Sequence, residues 1–400
     1  MKIGIYGGTF NPPHLGHLAA IQAAVSYLKL DRLLLIPAAI PPHKALPDDT
    51  PAPEHRLEMT RRLADWSGMP QTVRVSTLEL DRGGASYTAD TLREISQEYP
   101  DAELWLLMGT DMFLTLHLWR EPAEILKQAK ICAFGRTEQD GEALFAPQRE
   151  HLRKTFGAEM VTMTIPGLVD ISSTRLRELL AQGEGQKYLP PSVYGYILLH
   201  GLYGTNADIR RLDADQLRVC SWAIMNGVKR VPHVQGVEEE IIRLARRWGA
   251  DEDQARRAGI LHDCTKYWRL EQHLALCEQY QVELDELELQ AVKLLHSKTG
   301  ACMARHVFGE TDQVYEAIFW HTTGKADMAL LDKLLYMADY IEPNRTFDGV
   351  DEMRRLAYED LDAALLMGLE MTAEDMAQRG NPLHTNTAQA IAWLRGRRGV

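Results

Sequence analysis

The sequence predicts an α/β domain built on a parallel sheet, followed by an all-helical domain. Three observations carry that prediction. Over the first 200 residues, short apolar runs alternate with segments of helical period. This is the pattern of repeated βα units, whose strands lie parallel beneath covering helices and bind ligands beyond their carboxyl ends. From Ala214 onward no convincing strand is present, and apolar residues recur at helical spacing, as in Val234, Val237, Ile241, Leu244, Ala245 and Trp248. The change follows Gly201-Leu202-Tyr203-Gly204-Thr205-Asn206, so domains are expected at 1–203 and 216–400, joined by a linker over 204–215.

Ile3 to Tyr6 reads as the first strand, and Gly7-Gly8 turn it into an apolar helix over Leu18 to Leu28. Leu33-Leu34-Leu35-Ile36-Pro37 reads as a buried strand, since a continuous apolar run suits a strand covered on both faces. Further strands are expected at Val73 to Leu80 and Leu104 to Met108, with helices around Leu57 to Trp66 and Ala89 to Tyr99. No internal repeat or low-complexity segment interrupts the pattern.

The 400 residues exceed one ordinary core, and 45% hydrophobic with 25% charged residues is the composition of a soluble globular protein. No apolar run approaches the roughly 20 residues of a membrane span, and the N-terminus lacks the pattern of a signal peptide. A cytoplasmic protein with no membrane partner is expected. The formal charge of −12 argues against a nucleic-acid polymer as partner, because phosphate-backbone binding depends on Lys and Arg. Small nucleotides remain open to it, held by local clusters, as does a homo-oligomeric state. The five cysteines, Cys132, Cys220, Cys264, Cys277 and Cys302, include no C-x-x-C pair and read as reduced core thiols.

The densest chemistry lies in Gly7-Gly8-Thr9-Phe10-Asn11-Pro12-Pro13-His14-Leu15-Gly16-His17. A strand opening through glycines into a helix offers free N–H groups and a positive dipole end to an anion. His14 and His17, three residues apart, face the same side, where imidazoles can donate to phosphate oxygens and stabilise a leaving group. Lys44, behind Pro41-Pro42-His43, adds a positive charge at the end of the second strand. Asp170-Ile171-Ser172-Ser173-Thr174-Arg175-Leu176-Arg177 is a plain helix cap when read alone, and with its arginines a second anion site. Ser86-Tyr87-Thr88-Ala89-Asp90-Thr91 starts a helix and Gly109-Thr110-Asp111 ends a strand; alone they read as a capping box and a turn. Trp119 suits either a ring stack or a core.

Together these segments, within residues 1–203, resemble the bacterial nicotinate-nucleotide adenylyltransferases of the H-x-G-H nucleotidyltransferase superfamily. The resemblance implies a Rossmann-like fold that transfers AMP from ATP to nicotinate mononucleotide, giving deamido-NAD and pyrophosphate, with Mg²⁺ on the phosphates. It implies that Gly8, Thr9, Phe10, His14 and His17 bind the ATP phosphates, assisted by Lys44, Ser173, Thr174 and Arg177. Of these, His14, His17, Lys44 and Arg177 would be catalytic. Gly109 and Asp111 would meet the adenosine ribose, and Tyr87, Thr88 and Trp119 would surround the nicotinate. Arg136, where the family has an Arg-Pro pair, is followed here by Thr137.

The helical half contains His233, His262-Asp263, His296, His321 and Asp339, each in a separate expected helix or at its end. Four imidazoles and two carboxylates exceed the needs of one metal and suit two, with His262 and Asp263 serving different ions or bridging the pair. His200, His273 and His306 read as ordinary satisfied histidines. The set resembles the HD phosphohydrolase superfamily. Trp320-His321-Thr322-Thr323-Gly324 and Ala338-Asp339-Tyr340-Ile341-Glu342-Pro343-Asn344-Arg345 point to its YqeK-type branch, over Gln216 to Leu394. That resemblance implies an all-α HD domain with two divalent ions, iron or manganese, that cleaves diadenosine tetraphosphate into two ADP. His233, His262, Asp263, His296, His321 and Asp339 would be ligands, Asp263 and Lys266 catalytic, and Lys266, Thr322, Thr323, Gly324 and Arg345 phosphate-binding. Two departures bear on substrate choice: Ser297-Lys298 stand where the family has Gly-Pro, and Val231-Pro232 precede His233 where it has aromatic and acidic residues. The alternatives are a different nucleotide substrate, or a metal-bound regulatory or dimerisation module.

Overall fold

A computed structural model describes residues 1–42, 46–135, 142–165 and 171–399. The chain forms two compact units, Met1–Asn206 and Ala207–Val400. None of the described helices is long and apolar enough to cross a membrane.

In the first unit, β1 (Lys2–Gly8), β2 (Arg32–Pro37), β3 (Val73–Val75), β4 (Glu103–Gly109), β5 (Lys130–Phe134) and β6 (Met160–Met163) form one sheet in the order β3-β2-β1-β4-β5-β6. Every described pairing is parallel. Alternate residues of one strand feed different cores. Leu104, Leu106 and Met108 of β4 join one cluster with Ile3, Ile5 and Leu92, while Trp105 and Leu107 join another with Ile21, Leu33 and Leu35. Both sheet faces are therefore covered, which is why β2 and β4 carry unbroken apolar runs rather than alternation.

One expected strand is shorter than its pattern. Val73 to Ser76 alternates apolar and polar residues, but Thr77 breaks the alternation, the ladder stops at Val75 and Leu78–Arg82 is a short helix. The Ser76 hydroxyl accepts from the Leu78 N–H at 3.3 Å and turns the chain out of the sheet. That capping bond defeats the period-2 signal.

The second unit is helical throughout its described residues. The helix Val231–Trp248 buries Val234, Val237, Ile241, Leu244 and Ala245. Trp248 is half-buried and donates to the Ala357 carbonyl at 2.9 Å. All five cysteines are free and buried.

Candidate functional site

In the first unit β1 and β4 are neighbours from which the sheet grows outward in both directions. Ligands bind at such a switch point, beyond the strand ends. Gly8 ends β1 there, and Gly109 ends β4 as the N-cap of Thr110–Thr115. The loop after β1 is held from several sides. Phe10 takes a left-handed φ of 47° and buries its ring against Tyr6 at 5.9 Å and His17 at 5.3 Å. The buried Asn11 accepts from Tyr203 Oη at 2.8 Å and donates to Thr50 Oγ1 at 3.1 Å. The fully buried Arg56 guanidinium donates to the carbonyls of Thr9, Ala38 and Ala39 at 3.0, 2.7 and 3.2 Å, which ties the loop to the end of β2.

His14 is the N-cap of Leu15–Leu28, and its Nδ1 accepts from the Gly16 N–H at 3.2 Å. His17 Nδ1 accepts from the His14 N–H at the same distance, closing a reciprocal cap with the two rings 3.9 Å apart. An Nδ1 that accepts has no proton, so each neutral ring carries its proton on Nε2 and is a donor there. That is the tautomer a phosphate oxygen requires.

The helix Ser173–Ala181 is capped by Ser172, whose hydroxyl accepts from Arg175 N–H. Arg177 donates to the Asn11 carbonyl at 2.9 Å and reaches Thr174 Oγ1 at 3.4 Å. Arg177, with Thr174 beside it, is thus brought to the histidine loop, and Ser173 opens the same helix. Asp111 is exposed in the first turn after β4. Tyr87 is the N-cap of Thr88–Glu98, without a side-chain cap bond, and its ring lies under the Arg120 guanidinium at 4.4 Å. Trp119 is half-buried and packs against the core beneath. Lys44, Arg136 and Asp170 lie outside the described residues. Arg56 and Tyr203 are missed by sequence reasoning: an arginine on an amphipathic helix carries no signal of burial, and Tyr203 sits 192 residues from Asn11.

In the second unit the predicted ligands converge. One group is His233, His262 and Asp339; another is Asp263, His296 and His321. Asp263 spans them. Its Oδ2 lies 3.7 Å from His233 Nε2 and 3.5 Å from His262 Nε2, while Oδ1 lies 3.0 Å from His296 Nε2 and 3.9 Å from His321 Nε2. His233 Nε2 is 3.1 Å from Asp339 Oδ1.

The Nδ1 atoms explain the ring orientations. Those of His262, His296 and His321 lie 2.7, 2.6 and 2.7 Å from the carbonyls of Gly259, Lys293 and Ile318, each three residues back. His233 Nδ1 lies 3.1 Å from the buried Glu342 carboxylate. Each Nδ1 therefore donates, leaving an Nε2 lone pair toward the centre. His296 and His321 bring two such nitrogens within 3.2 Å of each other. His233 Nε2, His262 Nε2 and Asp263 Oδ1 are buried without hydrogen-bond partners. Converging lone pairs and unpartnered ligand atoms fit two divalent cations.

Burial acts most strongly on Asp263, in the direction that raises its carboxyl, but the His262 and His296 imidazoles outweigh it and hold the group well below the usual carboxylate range. Burial, with His296 and His262 close by, holds His321 well below the ordinary imidazole value. Both groups are thus kept in the form a metal requires.

Cations surround the ligands. Arg230 reaches Asp263 Oδ2 at 2.6 Å, Lys266 Nζ lies 2.9 Å from His296 Nε2, and Arg345 reaches Asp339 Oδ1 at 2.7 Å. Thr322 Oγ1 lies 3.0 Å from Ser297 Oγ, beside His296. The Thr323 hydroxyl donates to the Gly324 carbonyl, and Gly324 takes a φ of 65°, so both shape the local turn. Sequence reasoning gave no role to Arg230 or Glu342, although each stands three residues from a ligand.

A further group, Asp285, Glu288 and His384, differs in kind. His384 Nδ1 accepts from the Asn386 N–H at 3.1 Å, so its proton sits on Nε2, 3.1 Å from Asp285 Oδ2. Glu288 is bound by Lys298 at 2.6 Å. The imidazole, its Nδ1 lone pair already engaged and its Nε2 protonated, has no lone pair left for a metal.

Comparison with known proteins divides the chain at the same place. The cytidylyltransferase-like family model matches residues 5–179 and the HD domain model residues 230–344. The "probable nicotinate-nucleotide adenylyltransferase" of Halalkalibacterium halodurans is 35% identical over 206 residues, 51% of this chain and 92% of that protein. Its namesake from Thermoanaerobacter sp. is 37% identical over 205 residues, 51% of this chain and 94% of that protein. Among solved structures, a "predicted HD superfamily hydrolase involved in NAD metabolism" from Clostridium acetobutylicum shares 38% identity, covering 46% of this chain and 98% of that one, with a TM-score of 0.45. Plasmodium falciparum nicotinic acid mononucleotide adenylyltransferase complexed with NaAD shares 20% identity over 51% of this chain and 98% of that one, with a TM-score of 0.44. Through its first half the chain belongs to the nicotinate-nucleotide adenylyltransferase family, and its second half carries an HD domain.

Proposed function

We propose that the chain is a bifunctional nucleotide enzyme, joining nicotinate mononucleotide adenylylation to metal-dependent hydrolysis of diadenosine tetraphosphate. Family membership and the double imidazole cap at the end of β1 support the first activity. The mononucleotide phosphate attacks the α-phosphorus of ATP in line and pyrophosphate leaves, so the protein supplies position and charge neutralisation. His14 and His17 donate from Nε2 to the phosphate oxygens. Ser173, Thr174 and Arg177 hold the chain's far end from the helix Ser173–Ala181, Gly109 and Asp111 meet the ribose, and Tyr87, Thr88 and Trp119 receive the nicotinate. Mg²⁺ accompanies the ATP phosphates as part of the substrate.

For the second activity the carrying observation is Asp263, a buried carboxylate whose two oxygens face two different sets of imidazoles. His233, His262 and Asp339 would hold one cation and His296 and His321 the other, with Asp263 shared. The nitrogen and oxygen donors suit iron or manganese. Such cations neutralise phosphate charge and make water acidic enough to react near neutral pH. Lys266, Arg345 and Arg230 bind the polyphosphate oxygens, with Thr322 beside them. Water oxygen joins one of the two central phosphorus atoms and releases its proton, the bond from that phosphorus to the oxygen shared with the other central phosphorus breaks, and that oxygen leaves on the second ADP.

The test is incubation of the metal-loaded protein with diadenosine tetraphosphate and separation of products by ion exchange. ADP as sole product, absent with His262→Ala, is expected; no cleavage despite bound metal would overturn this substrate.

A further inference from the structure

The metal ligands and the cations around them account for the phosphates of a dinucleotide but not for its bases. Tyr267 follows Lys266 directly, yet its side chain is 53% exposed, among the largest exposures of any big apolar residue. Its ring is nevertheless held. A Cβ on Gly227 would stand 2.3 Å from Tyr267 Cε2 and 2.4 Å from Cδ2, but 3.5 Å from Cζ, so Gly227 lies against one edge of the ring. Gly227 has a φ of −152°, extended backbone open to any residue, so the glycine here answers to space and not to conformation. An aromatic ring gripped at its edge and more than half exposed offers a face to solvent.

The surroundings say what that face suits. Gly227 is the N-cap of Val228–Arg230, so the contact anchoring the ring stands three residues from Arg230, whose guanidinium reaches Asp263 Oδ2. On the other side Lys266 reaches Asp263 Oδ1 at 3.3 Å. The ring thus belongs to the residue next to Lys266 and rests on the residue that caps the short helix carrying Arg230, so the chain brings it to both cations that flank the bridging carboxylate. An aromatic face beside phosphate-binding cations matches a molecule with a flat ring at one end and phosphates at the other.

We infer that Tyr267, seated on Gly227, is a stacking platform for one nucleobase of the substrate, with Lys266 and Arg230 taking the adjoining phosphates. The inference rests on the phosphohydrolase reading of the HD centre. Stacking of this kind tolerates any base, because every base has a π face.

The experiment compares diadenosine tetraphosphate with inorganic tetrapolyphosphate, a substrate of equal phosphate number without bases, on the full metal-loaded chain. Tyr267→Ala is expected to raise KM for the dinucleotide about tenfold or more, as loss of one stacked base implies. Its kcat stays within about twofold and its KM for tetrapolyphosphate is unchanged. Tyr267→Phe keeps the wild-type KM. Gly227→Ala, which pushes the ring aside without altering its chemistry, raises KM for the dinucleotide alone. An unchanged KM in Tyr267→Ala, or equal loss on both substrates, overturns the inference. If the wild type cleaves tetrapolyphosphate but not the dinucleotide, the platform falls and the phosphohydrolase reading stands. If it cleaves neither, both fall.

Discussion

The two halves use the same side chain in opposite electrical senses. In the first, His14 and His17 point Nδ1 at backbone N–H groups and so present a proton from Nε2. In the second, His262, His296 and His321 point Nδ1 at carbonyls and present a lone pair from Nε2. One arrangement receives anions and the other cations. The difference is set by the group each Nδ1 meets: backbone N–H groups at the start of Leu15–Leu28 in the first unit, and in the second a carbonyl three residues back or, for His233, the Glu342 carboxylate. His384, an N-cap with Nδ1 accepting, carries its proton on Nε2 as His14 and His17 do.

The comparison breaks most sharply under glutamine. A glutamine side chain can accept at its oxygen while donating from its nitrogen, so His17→Gln should retain both cap and donor. His17→Ala should lower kcat for adenylyl transfer by about 10²–10³-fold, as loss of one preorganised donor does, with little change in KM for ATP. Glutamine should recover part of that loss in steady-state assays; equal defects would remove the tautomer argument. At the second site His262→Gln offers no ring lone pair, so metal content measured by elemental analysis should fall as far as in His262→Ala, with adenylyl transfer intact. Glu342→Gln should weaken metal binding by about 10–100-fold, because the carboxylate fixes His233 without being a ligand. Competition with a chelator measures this, and an unchanged affinity would deny Glu342 that role.

Arg56→Met leaves the carbonyls of Thr9, Ala38 and Ala39 without their donor and should cost about 2–4 kcal/mol. Thermal denaturation would register a fall of several degrees in the first unit. The smallest effect concerns His273, buried with Nδ1 2.8 Å from Thr299 Oγ1 and lowered by burial from 6.5 to about 4. Between those values the unfolded chain binds a proton that the folded one refuses, so stability should fall as pH drops from 6.5 to about 4. Chemical denaturation at stepped pH should show that slope flattened in His273→Gln.

Much of this was legible in the sequence where local signals were strong. The apolar runs of β1, β2 and β4 mark strands covered on both faces, and the glycine turn with its two histidines marks the switch point. Lys130–Phe134 and Met160–Met163 go unassigned; Met160–Met163 is only half-buried at every position, so it lacks the unbroken apolar run of a strand covered on both faces. The metal ligands are legible as a set because each occupies its own helix. Arg56, Tyr203 and Glu342 are not, because their importance arises from burial against backbone far away in sequence. The opposed tautomers also escape sequence reading, for they depend on which backbone group each Nδ1 meets.

The five cysteines, all buried, have a practical consequence. Burial pushes the thiols of Cys132, Cys220 and Cys302 up to about 12, so almost no thiolate exists there near neutral pH. The native chain should ignore maleimides. A single cysteine engineered onto either unit would then be the sole labelling position, and a pair, one per unit, would let fluorescence energy transfer follow both halves of the intact protein without removing any natural residue.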